Sequence, residues 1–172
     1  KMNDLLERLA PHSPGRVQRI KLQSILPILT GVIATRRRDR KVDLLGTANV
    51  QALVDANALE QALGHLLQNA LDASSGEPVI VRVDSEDDNV SIAVADKGVG
   101  MDADFIRNRL FQPFSSTKPG GFGVGAFEAR QLITAMGGRL NVDSRPGRGT
   151  TFTIVLPASD AAPASPNRQS VK

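Results

Sequence analysis

Three short stretches of this chain combine residue types that do chemistry with the spacing to use it. His65, Asn69 and Asp72 stand at i, i+4 and i+7, which places them on one face of a helix. An amide oxygen there can join the oxygen shell of Mg2+, a cation that keeps waters and takes few protein ligands. On the helix alone, the three residues read first as the wet side of an amphipathic helix. Asp96-Lys97-Gly98-Val99-Gly100-Met101 follows an alternating apolar run. A carboxylate at a strand end accepts a hydrogen bond from an exocyclic amine, and two nearby glycines let backbone approach a flat ring. The alternative is a strand that stops in an Asp-x-Gly turn. Gly120-Gly121-Phe122-Gly123-Val124-Gly125 leads into a helical pattern, so its amides and the positive helix end can face a phosphate. Lys118, just before, offers a point charge for the same anion. The glycine spacing fits neither a P-loop nor a dinucleotide fingerprint.

Composition narrows the chemistry further. The 172 residues hold no cysteine and two histidines. Disulfide scaffolds, cysteine nucleophiles and thiolate metal sites are excluded, and a zinc centre built on His is nearly so. Six Phe are the only aromatics, so the core must be Leu, Val, Ile and Ala, and stacking on single-stranded nucleic acid lacks its platforms. No apolar run approaches the roughly 20 residues of a membrane span, and no signal-peptide pattern opens the chain. A soluble, cytoplasmic polypeptide is expected, and a start at Lys1 suggests a piece of something longer. The net charge of +3 is uneven: residues 1–41 carry ten Lys/Arg against three Asp/Glu, the remainder eleven against fifteen. The basic run at Arg36, Arg37, Arg38, Arg40 and Lys41 reads as a solvated helix end, with contact to nucleic acid, anionic lipid or an adjoining domain as alternatives.

These stretches need elements to position them. Leu5, Leu6 and Leu9 read as the tail of a helix that Pro11 and Pro14 break. Leu22, Ile25, Leu26, Leu29 and Ile33 have helical spacing, with Pro27 implying a kink or a late start. Val42, Leu44 and Leu45 read as a short strand. The clearest helix runs from about Ala58 to Ala73 on Leu59, Leu63, Leu66, Leu67, Ala70 and Leu71, with Asn57 as cap and Glu60 completing a capping box. Val79, Val81 and Val83 alternate, as do Val90, Ile92 and Val94, which predicts a hairpin. A short helix is expected near Asp104 to Leu110, another from about Val124 to Met136, and a last hairpin pairs Leu140 and Val142 with Phe152, Ile154 and Leu156. The tail from Ala158 reads as disordered. The order predicts an α+β two-layer sandwich, its sheet mostly antiparallel with helices on one face.

With these residues in order, the chain resembles the catalytic, ATP-binding domain of bacterial sensor histidine kinases, in the group that includes gyrase, Hsp90 and MutL. His65-Leu-Leu-Gln-Asn69-Ala-Leu-Asp72-Ala73 resembles the N box, Asp96-x-Gly98-x-Gly100-Met101 the G1 box, and Phe111-Gln-Pro-Phe114-Ser-Ser-Thr-Lys118 the F box. Gly121-Phe-Gly123-Val-Gly125 resembles the G2 box, and Gly147-Arg-Gly149-Thr150-Thr-Phe152 closes the pattern. Gly125-Ala-Phe-Glu-Ala-Arg130 is similar to sensor kinases linked to exosortase systems. The resemblance implies the Bergerat ATP-binding fold over residues 21–157, after the end of a helical hairpin or linker at 1–20 and before a tail at 158–172. It also implies ATP and Mg2+. Asn69 would hold the metal, Asp96 the adenine amine, and Thr150 would support Asp96. Gly98, Gly100 and Met101 would shape the base pocket. Lys118, Gly121, Gly123 and Gly125 would face the phosphates, and Asp72, Ala73, Phe114, Phe122 and Val124 join the ATP-binding set. Residues 102–122 would form a mobile lid.

The chain also departs from the family pattern. Val124 replaces a usual Leu, and Phe127 is bulkier than usual. The phosphoacceptor His followed by Glu or Asp is missing, since His12 lies between prolines and His65 belongs to the nucleotide face. The implied partners are therefore a phosphoacceptor hairpin of the same parent protein and a response regulator, with no nucleic acid and no membrane contact from this stretch. No catalytic residue is certain; His65 and Lys118 are candidates. A self-contained ATPase or serine kinase of the same fold is the alternative, though such relatives carry Glu where His65 stands. A non-catalytic nucleotide-sensing module is another.

Overall fold

The computed structural model describes residues 17, 19–36, 41–47, 49–115 and 123–158. The expected helix tail at 1–9, His12, the core of the basic run, the stretch from Ser116 to Phe122 and the tail beyond Ala158 lie outside them.

Eleven elements follow one another among these residues. Strand β1 (Lys21–Ser24) leads into helix α1 (Ile25–Arg36), then β2 (Val42–Gly46) and β3 (Gln51–Val54). Helix α2 (Ala56–Ala73) precedes the hairpin β4 (Val79–Glu86) and β5 (Asn89–Asp96). Short α3 (Ala103–Asn108), then α4 (Gly125–Ala135), lead to the hairpin β6 (Arg139–Arg145) and β7 (Gly149–Pro157). A five-stranded sheet runs β2-β4-β5-β7-β6, with β2 and β4 parallel and the other pairs antiparallel. Beside it, β1 and β3 pair as a separate antiparallel ribbon.

The two-period alternation in the hairpins buries Val79, Val81, Val83, Val90, Ile92, Val94, Phe152, Ile154 and Leu156 on one sheet face, as expected of a half-buried sheet. Helices α1 and α2 lie on that face. Leu29, Val32 and Ile33 of α1, Leu63 and Leu67 of α2, and Val81 and Val94 of the sheet meet around one point. The whole Leu stripe read from the sequence in α2 is buried. Each such side chain stabilises the fold by about 1.5–3 kcal/mol relative to exposure.

Four expectations need correction. Leu22 belongs to β1, not to a helix, and is 50% exposed. Pro27 explains why: it falls in the first turn of α1, where its missing N–H is not needed, and it forbids extending the helix backwards. Strand β3 was not expected. It is four residues long, and only Ala52 and Val54 are buried. The cap of α2 is Asp55 rather than Asn57: its Oδ1 accepts from the amides of Asn57 (3.0 Å) and Ala58 (3.1 Å). Oδ2 of the same buried carboxylate accepts from the amide of Arg19 at 3.0 Å, so one side chain ties the incoming chain to the start of α2. At the far end, Ala158 is still part of the fold, donating its amide to the Asp88 carbonyl at 2.8 Å.

Candidate functional site

The face of α2 opposite its Leu stripe meets the beginning of α4. A Cβ built on Gly125 would lie 3.5 Å from His65 Nδ1 and 3.8 Å from Asn69 Nδ2, so the first residue of α4 sits over both side chains. Val124 caps this helix without any side-chain hydrogen bond. A helix start presents backbone amides that no carbonyl of the helix takes up, which is the arrangement that receives anions. Gly123 and Val124 form the approach; Lys118, Gly121 and Phe122 lie outside the described residues. Asp72, one turn past Asn69, is exposed and its Oδ1 accepts from Gln68 Nε2 at 2.8 Å. Gln68 Oε1 in turn accepts from Arg36 of α1 at 3.3 Å. Of the basic run, Arg36 therefore contacts α2 and lies across Gly64, where a Cβ would come within 2.8 Å of its guanidinium.

His65 is held from two sides. Its Nε2 lies 2.8 Å from Glu128 Oε2, both side chains 27% exposed; the contact is close, but it is not aligned as a hydrogen bond. Burial lowers the imidazole pKa below its ordinary value and the Arg36 charge adds to this, while Glu128 opposes both. Sequence reading missed Glu128, because a Glu in the first turn of any helix is favoured by the dipole alone.

At the far end of the next hairpin strand, Asp96 ends β5 with only 8% of its surface exposed. Its Oδ1 accepts from the Gly98 amide at 2.8 Å, and it stands opposite buried Thr150 in the β5–β7 register. The glycines that were expected to clear space for a ring also clear space for the protein itself. A Cβ on Gly98 would fall 2.4 Å from the Ala73 carbonyl oxygen at the end of α2, and one on Gly100 would fall 1.9 Å from that of Arg145. Gly100 has φ +67°, a conformation that favours glycine. The loop is thereby clamped to the β6–β7 turn, where Gly147 donates to the Val99 carbonyl at 2.7 Å. Ser144, which the sequence did not single out, is the knot of this clamp. Its Oγ accepts from the Met101 amide (2.8 Å), donates to the Gly149 carbonyl (3.0 Å) and lies 2.7 Å from Thr150 Oγ1.

The first half of the expected lid is better anchored than its composition suggested. Asp102 caps α3 through the Phe105 amide at 2.8 Å. Leu110 is buried, and Phe105, Ile106 and Phe111 pack against the core. Arg130 of α4 stands 4.3 Å over the Phe111 ring. Phe114, by contrast, is 81% exposed with φ +64°.

Residues 54–160, more than half of the chain, match the family described as histidine kinase-, DNA gyrase B-, and HSP90-like ATPase. The chain belongs to that family. Among curated proteins, this ATPase domain is 39% identical to the sensor protein FixL of Bradyrhizobium diazoefficiens over 63% of the chain and 22% of FixL. It is 31% identical to the sensor histidine kinase ZraS of Klebsiella oxytoca over 92% of the chain and 35% of ZraS. The chain thus spans about a fifth to a third of the length of these relatives. Among solved structures, the mycobacterial sensor histidine kinase MprB is 26% identical with a TM-score of 0.72, covering 81% of this chain and 97% of that one. Full-length ShkA, solved in complex with AMPPNP, is also 26% identical, with a TM-score of 0.69 over 93% of this chain and 36% of that one. The ATPase domain is of the sensor histidine kinase type, and its mixed, mostly antiparallel sheet with helices on one face is theirs. Among the described residues no helix is long and apolar enough to cross a membrane.

Proposed function

We propose that this domain binds Mg-ATP and places its γ-phosphate for transfer to a histidine on a helical hairpin elsewhere in the same parent protein, from which a response regulator is charged. The observation that carries the reading is the pairing of two features that both adjoin the C-terminal half of α2. One is a buried carboxylate, Asp96, at a strand end clamped by backbone. The other is an α4 start without a side-chain cap, seated on Asn69. Asp96 suits the adenine amine, with Gly98, Gly100 and Met101 around the ring and Thr150 behind the carboxylate. The amides at Gly123 and Gly125 suit the phosphates, together with Lys118, Gly121 and Phe122. Asn69 offers one amide oxygen, which fits a cation that keeps most of its waters. Bound ATP supplies the transferable phosphoryl group, and Mg2+ neutralises its charge. The chain's own contribution is placement, which is most of what phosphoryl transfer asks of a protein.

Incubation with γ-labelled ATP tests this. The chain alone is expected to retain no acid-labile label, whereas addition of a sensor-kinase helical hairpin bearing a phosphoacceptor His labels the hairpin. Fast phosphate release without any hairpin labelling would favour the self-contained ATPase instead. A second expected outcome concerns the metal: Asn69→Ala removes the Mg2+ dependence of ATP affinity while the melting temperature of the nucleotide-free protein moves little, because the buried Leu stripe of α2 is untouched. Equal Mg2+ dependence in the variant, read by calorimetry with and without the metal, would assign the cation to other residues.

A further inference from the structure

We propose that Glu128 is a positioning residue for the phosphate side of the site, holding the first turn of α4 in register on Asn69 through His65. The inference rests on the nucleotide-binding reading above and adds a residue to it.

The imidazole of His65 lies under the first turn of α4, beside Gly125 and against Glu128. Nδ1 is 3.5 Å from where a Gly125 Cβ would stand, and Nε2 is 2.8 Å from the Glu128 carboxylate. The buried residues of α4 are Ala126, Ala129, Leu132 and Ile133, all apolar. Apolar burial is strong but non-directional, and the small alanines let the helices approach closely without fixing how far one is rotated or slid along the other. A polar pair at one defined position specifies register where apolar packing does not. The register matters here because the amides of α4 and the amide side chain of Asn69 come from different helices. They act on one phosphate chain only if the helices hold a fixed relation. Glu128 is also an anionic side chain in the turn that would receive an anion, and its contact with His65 keeps the carboxylate occupied beside α2.

The experiment titrates the chain and its Glu128→Ala, Glu128→Gln and His65→Ala variants with Mg-ATP and, separately, with adenosine. Glu128→Ala is expected to weaken Mg-ATP by roughly tenfold, the scale of coupling between contacting residues, and to leave adenosine unchanged. Glu128→Gln restores most of the loss, because a polar side chain of the same length still reaches the ring. His65→Ala gives the same ATP-only loss, and the double Ala variant is no worse than either single one. Equal losses for ATP and adenosine would make the pair a general packing contact and overturn the proposal, as would an unweakened Glu128→Ala. Should one Ala variant fail to fold, the other and Glu128→Gln decide by the same ATP-to-adenosine ratio. An unsubstituted chain that binds neither ligand overturns the nucleotide reading, and this inference with it.

Discussion

Asp96→Asn is expected to lower nucleotide affinity by tenfold or more while leaving the fold in place. The carboxylate is almost fully buried, and its Oδ1 is taken by the Gly98 amide. An Asn that keeps this bond with its carbonyl oxygen must turn its NH2 the other way, so two donors would face each other across the base. Losing a buried hydrogen bond to a charged group costs about 1.5–3 kcal/mol, and each 1.4 kcal/mol is about tenfold in affinity. Calorimetry measures the loss, and a thermal melt confirms that the backbone clamp at residues 96–101 survives. Unchanged affinity would move the base elsewhere.

The second large effect falls on stability. Gly100→Val is expected to lower the melting temperature by roughly 10 °C and to weaken nucleotide binding with it. A Cβ at this position meets the Arg145 carbonyl oxygen at 1.9 Å and its carbon at 2.7 Å, both backbone atoms that no rotamer change can move. The left-handed φ of +67° adds about 1–2 kcal/mol for a residue with a side chain, and the forced shift about 1–3 kcal/mol more. A domain of this size loses a few degrees per kcal/mol. The neighbouring Met101 amide and Ser144 hydroxyl would separate, which links the melt to the site. A variant that melts with the unsubstituted chain would show that the β6–β7 turn yields freely.

Much of this was legible before any coordinates. The Leu stripe of α2 and the alternating hairpins declare themselves because their periods are set by burial on one side. The glycine-rich boxes declare themselves because backbone approach admits few other residues. What stayed hidden depends on partners distant in sequence. Strands β1 and β3 are each four residues long and find each other across α1 and β2, with too few alternations to show a period. Asp55 caps a helix that starts two residues earlier than its apolar pattern, since Ala56 and Asn57 add nothing to the stripe. Ser144 and Glu128 have ordinary local settings, and only the packing of β6 on β7 and of α4 on α2 gives them their contacts. The stretch expected to open a mobile lid is another case: Leu110 is buried and Phe111 packs against the core under Arg130.

The shared carboxylate of Asp55 has a consequence for how the domain breathes. Its two oxygens serve the Arg19 amide on one side and the first amides of α2 on the other, so release of either segment costs this buried side chain a hydrogen bond. Opening a helix end by fraying is ordinarily cheap and local. Here the fraying of α2 is coupled, through one carboxylate, to release of the chain that leads into the strand before α1. A tug on the chain entering at Arg19 is delivered, across one side chain, to the root of the helix that carries Asn69.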